Sequence, residues 1–129
     1  MRTRLLRVAG ILLALAGTGP AAAHHSFATQ YDADQPVTLT GVVTKVEWMN
    51  PHARFYVDVK DESGNVTNWN LELASPNVLT RNGWSRTSLK EGDEVTVEGS
   101  RARSGASMAN ARTVKLADGR QVFAREPPQ

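Results

Sequence analysis

Three histidines are the residues of this chain best equipped for chemistry: His24 and His25 side by side, and His52 after Asn50-Pro51. A chain processed to begin at His24 has a chelate that no internal histidine can make. Its free amine and its own imidazole nitrogen reach one metal together, and a second imidazole completes a T-shaped, all-nitrogen site suited to Cu(II). His25 cannot easily join its neighbour's chelate without straining the peptide between them, so His52 is the natural third nitrogen and His25 is auxiliary. Met49 and Met108 offer soft sulfur for Cu(I), but without a multi-methionine spacing. The plainer reading stands beside this one. Adjacent histidines on a solvated tail commonly bind nothing tightly, a histidine after Asn-Pro commonly satisfies turn carbonyls, and ligand types without geometry do not define a metal site.

A second candidate set is six polar side chains that strand alternation places on one face: Arg54, Tyr56 and Asp58, then Asn68, Asn70 and Glu72. Such a face suits a small polar molecule, a glycan or another protein of the cell envelope. Equally, it is a solvated sheet face with cross-strand pairs such as Arg54 with Glu72 or Asp58. Nucleic acid is excluded, because single strands need several stacking aromatics along a positive groove. This face has Tyr56 alone, with two acids beside it. No enzyme signature accompanies either set. The chain has no cysteine nucleophile, no Gly-x-Ser-x-Gly elbow and no phosphate-cradling glycine loop, and its acids are scattered. The expectation is a non-catalytic binding module, with copper binding through His24 and His52 as the alternative function and copper as the one cofactor considered.

The histidine chelate depends on export. Arg2, Arg4 and Arg7 precede an apolar run from Val8 to Ala16, followed by Gly17, Gly19, Pro20 and Ala21-Ala22-Ala23. A charged region, an apolar region and a small-residue cleavage site in that order predict a signal peptide over residues 1–23, cut after Ala23. The run is well short of the roughly 20 apolar residues a membrane span needs, so a stable membrane anchor is not expected. The expected compartment is the periplasm.

Removing the leader also changes the charge. The sequence pI of 9.3 misleads, because three of the 15 lysines and arginines lie in the leader while all 13 acids come after it. The remainder is near neutral, which leaves no basic field to attract polyanions. From His24 onward the chain is one domain's worth, large enough for a core without disulfides. The absence of cysteine fits a fold that needs none even in an oxidising compartment.

Strand chemistry dominates that domain. Residues 24–36 read as a polar arm with apolar anchors at Phe27 and Tyr31. Val37 to Trp48 is a first strand whose apolar parity slips, with Val37 and Leu39 at odd positions and Val42, Val46 and Trp48 at even ones. One extra residue flips a strand's inward face, so the slip predicts a bulge or bend at Gly41-Val42. Arg54 to Lys60 alternates cleanly with Phe55, Val57 and Val59 inward. Asp61 to Asn65 turns the chain, and Trp69, Leu71 and Leu73 point inward on the return.

Ser75-Pro76 is an N-cap followed by proline at the first helical position, and Asn82-Gly83 is a terminator. Val78 and Leu79 face the core from this short helix, with Trp84 and Leu89 beneath it. A fourth strand holds Val95 and Val97 up to Gly99. A small-residue loop spans Arg101 to Ala109, a fifth strand spans Asn110 to Leu116, and Arg120 to Phe123 adds a short hairpin. Arg125 to Gln129 is an unstructured tail.

Three strands, a helix and two strands make the oligonucleotide/oligosaccharide-binding (OB) order, so a five-stranded, partly open OB-like barrel over residues 37–124 is expected, with a small open β-sandwich as the rival. In such a barrel the ligand face lies on the second and third strands. The loops Met49 to Ala53 and Arg101 to Ala109 flank it.

Several segments resemble one family: His24-His25-Ser26-Phe27, Gly41-Val42-Val43-Thr44-Lys45-Val46-Glu47-Trp48, Asn50-Pro51-His52, Ser75-Pro76-Asn77, Gly83-Trp84 and Leu89-Lys90-Glu91-Gly92-Asp93. Together they are similar to a domain-of-unknown-function family of small exported Gram-negative bacterial proteins. The resemblance implies export and a single domain, and it carries over no catalytic residue. Arg54 departs from it, standing where the family pattern has an aromatic or aliphatic residue. That counts against an apolar ligand on the sheet face. More loosely, the layout is similar to periplasmic OB-fold stress proteins, which implies binding rather than catalysis.

Overall fold

The computed structural model describes residues 27–123. The expected signal peptide, His24, His25 and the tail lie outside the described residues. After a helical turn at residues 27–30, six strands and one helix succeed one another: β1 (Tyr31–Glu47), β2 (Arg54–Lys60), β3 (Val66–Glu72), α1 (Pro76–Arg81), β4 (Glu94–Ala102), β5 (Met108–Leu116) and β6 (Gln121–Phe123). The hydrogen-bonded order is β3-β2-β1-β4-β5-β6, and a parallel pairing of β3 with β5 bends the sheet into a ring. That closing seam is short, joining Asn70, Leu71 and Glu72 to Met108, Ala109 and Asn110. The ring is therefore a partly open, OB-like barrel with its helix between the third and fourth strands. β6 extends β5 as a closing hairpin.

β1 is long because it belongs to both halves of the ring. Tyr31 to Val42 pair with β4, and Val42 to Glu47 pair with β2. It begins at Tyr31, six residues before the expected start at Val37. The early part escapes sequence patterning because its register against β4 is irregular between Tyr31 and Pro36.

The parity slip is real but lies later than expected. The β1–β2 register shifts between Val43 and Lys45. Val43 is therefore the inward residue, while Val42 is 40% exposed. Gly41 serves a different purpose from a bend: a Cβ there would collide with the Asp58 carbonyl oxygen and crowd Val57. Glycine lets the β1 and β2 backbones approach where β1 passes from one partner to the other. Gly99 plays the same part on β4, where a Cβ would strike the Asn110 carbonyl. β4 accordingly runs on to Ala102, and the expected loop from Arg101 to Ala109 shrinks to residues 103–107.

The inward positions of β1 to β5 form one core from Leu39, Val43, Phe55, Val57, Trp69, Leu71, Leu73, Val95, Val97, Val114 and Leu116. Burying side chains of this size contributes about 1.5–3 kcal/mol each. α1 closes one end. The Ser75 hydroxyl accepts the Val78 N–H at 3.4 Å, Pro76 follows it, and Leu79 is fully buried above Trp84 and Leu89. Val78, expected on the same apolar side, faces solvent. Among the described residues no helix is long and apolar enough to cross a membrane.

Candidate functional site

The outer face of β2 and β3 carries all six polar residues read from the sequence. Their register is Arg54 opposite Glu72, Tyr56 opposite Asn70 and Asp58 opposite Asn68, so they form two facing columns. They are already engaged. Asn68 Nδ2 donates to Asp58 Oδ1 at 2.8 Å and to Thr44 Oγ1 at 3.1 Å. Arg54 donates from Nη1 to Asn70 Oδ1 at 3.2 Å and from Nη2 to Glu72 Oε2 at 2.8 Å. The Tyr56 hydroxyl donates to Glu47 Oε2 at 3.3 Å, and the Lys45 ammonium sits over the Tyr56 ring, 5.4 Å from its centre. Of the two expected partners for Arg54, the structure selects Glu72.

Glu72 departs from the expectation of an outward, solvated residue. It is on the outer face, yet only 4% exposed. The cover is Tyr31, itself 1% exposed, whose hydroxyl donates to Glu72 Oε2 at 2.7 Å. A buried carboxylate loses its hydration and must recover it from donors. Glu72 has three. Tyr31 and Arg54 serve one oxygen, and His52 Nδ1 lies 3.0 Å from the other.

Burial first, then the hydrogen bond to Glu72 and its negative charge, push the Tyr31 phenol well above the ordinary tyrosine range, against a smaller pull from Arg54. It therefore stays a donor.

His52 reaches this carboxylate because the β2–β3 ladder continues past its formal end. Leu73 N–H donates to Ala53 O at 2.9 Å, and Ala53 N–H donates to Ala74 O at 3.1 Å. The residue just before Ala53 is thereby set beside Glu72. A neutral imidazole that donates from Nδ1 keeps its Nε2 lone pair. The His52 side chain is 41% exposed, so that nitrogen belongs to a ring with access to solvent.

The chain leading into Tyr31 is pinned as well. Arg103, in the β4–β5 loop, donates from Nε to Ala28 O at 2.7 Å and from its backbone N–H to Gln30 O at 3.0 Å, and it pairs with Asp32 at 3.3 Å. The Phe27 and Tyr31 rings lie 5.7 Å apart.

A second buried polar residue adjoins Glu72 across the closing seam. Asn110 is Glu72's partner across the closing seam and Ser100's partner on β4, and all three are buried. The Asn110 Nδ2 has no hydrogen-bond partner, which costs on the order of 1–3 kcal/mol.

Sequence reasoning treats Tyr31 only as an apolar anchor and misses Asn110 altogether. The anchor reading is available from a lone aromatic in a polar arm. The hydroxyl's partner, 41 residues away, is not. His24 and His25 lie outside the described residues, so of the three histidines only His52 has a described environment. Among the described residues no three His, Asp or Glu side chains converge on a metal-sized point.

The chain belongs to a family of unknown function (DUF6152), whose model matches residues 12–111. That span contains His24, His25 and His52 as well as Tyr31, Arg54, Glu72 and Asn110. No curated protein and no solved structure matches the chain.

Proposed function

We propose, for this member of a family without an assigned activity, a non-catalytic, exported binding module that takes a polar ligand on the outer face of β2 and β3. Its compartment in this reading is the periplasm, reached by cleavage after Ala23. The observation that carries the proposal is the fixed state of that face. Arg54, Asn68 and Asn70 are held by neighbouring partners, and Tyr56 is held by Glu47 and Lys45.

Side chains already locked in place lose little entropy on binding. Donors and acceptors alternate, Lys45 and Arg54 stand against Glu47, Asp58 and the buried Glu72, and one aromatic ring is present. Such a surface suits an uncharged, hydroxyl- and amide-rich molecule better than a polyanion. Titration of ¹⁵N-labelled mature protein with a soluble N-acetylated chito-oligosaccharide tests this. Saturable amide shifts centred on Tyr56, Asn68 and Asn70 are expected. Shifts confined to other faces, or none, would overturn the choice of surface.

A second reading, Cu(II) binding by the amine and imidazole of a mature His24 with His52 as third nitrogen, is favoured by one specific contact. Histidines that ligate metals usually donate their other ring nitrogen to a carboxylate, and the 3.0 Å distance from His52 Nδ1 to Glu72 Oε1 supports that reading. Correctly processed protein should develop a visible d–d band with Cu(II). One extra residue before His24 should abolish it. Equal affinity with and without that residue would end the copper reading.

A further inference from the structure

The outer face of β1, β4 and β5 carries a groove apart from the β2–β3 face and the histidines. Its volume is about 320 Å³, and Thr40, Glu94, Thr96, Lys115, Leu116 and Ala117 are among the residues that line it. The strand registers fix how these residues stand to one another. Thr96 on β4 lies opposite Thr40 on β1 and opposite Lys115 on β5. Glu94 precedes it on the same face of β4 and lies opposite Val42. The Glu94 carbonyl accepts the Ala117 N–H at 3.2 Å, which sets Glu94 diagonal to Lys115. Such diagonal neighbours stand roughly 7–8 Å apart between Cα atoms.

The opposite charges in this groove are uncommitted. Among the described residues the side chains of Glu94 and Lys115 have neither an ion pair nor a hydrogen bond. Glu98, the next outward residue of β4 after Thr96, is engaged: it accepts the Thr113 hydroxyl at 3.2 Å and pairs with Arg112 at 3.9 Å. Beside the two free charges stand the Thr40 and Thr96 hydroxyls, 3.0 Å apart. One proton lies between that pair, so one hydroxyl keeps an O–H to donate, and lone pairs remain to accept.

We propose that this groove binds the zwitterionic head of a small aliphatic α-amino acid. The ligand's carboxylate meets the Lys115 ammonium and the free hydroxyl proton. Its ammonium meets Glu94 and the threonine lone pairs. Charge-assisted hydrogen bonds of both signs are then made together, whereas an ion of one sign leaves a groove charge unmatched. The volume suits such a molecule, because pockets for small ligands begin near ~300 Å³. Val42 selects the aliphatic side chain. It is 40% exposed and stands opposite Glu94 across β1 and β4, so a ligand methyl group set against it covers apolar surface that the fold leaves wet.

The test is an NMR titration of ¹⁵N-labelled mature protein with L-valine, using isovalerate and isobutylamine as single-charge controls. Saturable shifts are expected at the Thr96, Lys115 and Ala117 amides with valine, and clearly weaker binding with either control. Exposed ion pairs contribute modestly, so Glu94→Gln and Lys115→Met should each raise Kd about two- to fivefold. Thr96→Val should raise it as well. A thermal melt on each variant confirms that the fold is kept, as expected for exposed positions such as Glu94 and Lys115.

If valine gives no saturable shift, or isovalerate moves the same amides with equal affinity, the groove is not a zwitterion site. A Kd unmoved by both Glu94→Gln and Lys115→Met overturns the proposal too. Shifts centred instead on Tyr56, Asn68 and Asn70 would put the amino acid on the β2–β3 face, overturning this groove and leaving that face standing.

Discussion

Replacing Tyr31 with phenylalanine removes one oxygen and tests the buried cluster without disturbing the ring that covers it. The hydroxyl lies 2.7 Å from a Glu72 oxygen, and both side chains are buried. Water cannot easily take the vacated place, so Glu72 keeps only Arg54 on that oxygen. A hydrogen bond to a charged group contributes about 1.5–3 kcal/mol. Because both partners are enclosed, a loss of about 2 kcal/mol is expected. For a domain of this size that lowers Tm by roughly 8–16 °C.

Urea unfolding followed by tryptophan fluorescence measures it, with an unchanged slope showing that only stability has moved. The pH dependence checks the cause. The fold raises the Tyr31 pKa above its unfolded value of about 10. The stabilisation is thus fully present below pH 10 and is lost as the pH rises from there through the folded value. The gap between wild type and Tyr31→Phe should be flat from pH 7 to about 10 and narrow above that, following the unfolded-state value. A variant as stable as wild type at pH 7, or a gap that widens in alkali, would refute the reasoning.

Other perturbations probe separate parts of the account. Gly41→Ala forces a methyl group against the Asp58 carbonyl and Val57 and should cost about 3 kcal/mol by overpacking, read from urea midpoints; a cost below ~1 kcal/mol would show that the two strands can part. Leu71→Ala empties a fully buried core position in the closing seam, and a loss of about 2–5 kcal/mol is expected in the same assay. Ser75→Ala removes the α1 cap and should cost about 1 kcal/mol, visible as a modest drop in Tm. Asn110→Leu replaces a side chain whose Nδ2 is buried without a partner; Tm should hold or rise, whereas a large fall would mean that the amide is satisfied by bound water.

The strand order and the helix were legible because period-two alternation in β2, β3 and β4 and the Ser75-Pro76 and Asn82-Gly83 signals are local. The six-residue polar face was legible for the same reason: alternation fixes which side chains share a face. What that face does with them was not. Val42 and Val43 are chemically identical, so parity showed that a bulge exists without showing where. Gly41 looked like a bend, but its reason is the approach of a strand sixteen or seventeen residues further on, at Val57 and Asp58. Glu72 reads as solvated on alternation alone. Its burial needs Tyr31 to cross from the start of β1, a contact that no local pattern encodes. The position of His52 beside Glu72 comes from a ladder extended through Ala53 and Leu73, which begins where the sequence shows only a turn.

The copper reading of His52 depends on its contact with Glu72, and the ring's tautomer reports on that contact directly. Long-range ¹H–¹⁵N correlation on ¹⁵N-labelled mature protein, at a pH where the imidazole is neutral, distinguishes the two nitrogens. A proton on Nδ1 and a bare Nε2 at His52, reverting to the mixture of an unconstrained histidine in Glu72→Gln, is the predicted result. A His52 protonated on Nε2 in the wild type, or indifferent to Glu72→Gln, would contradict it.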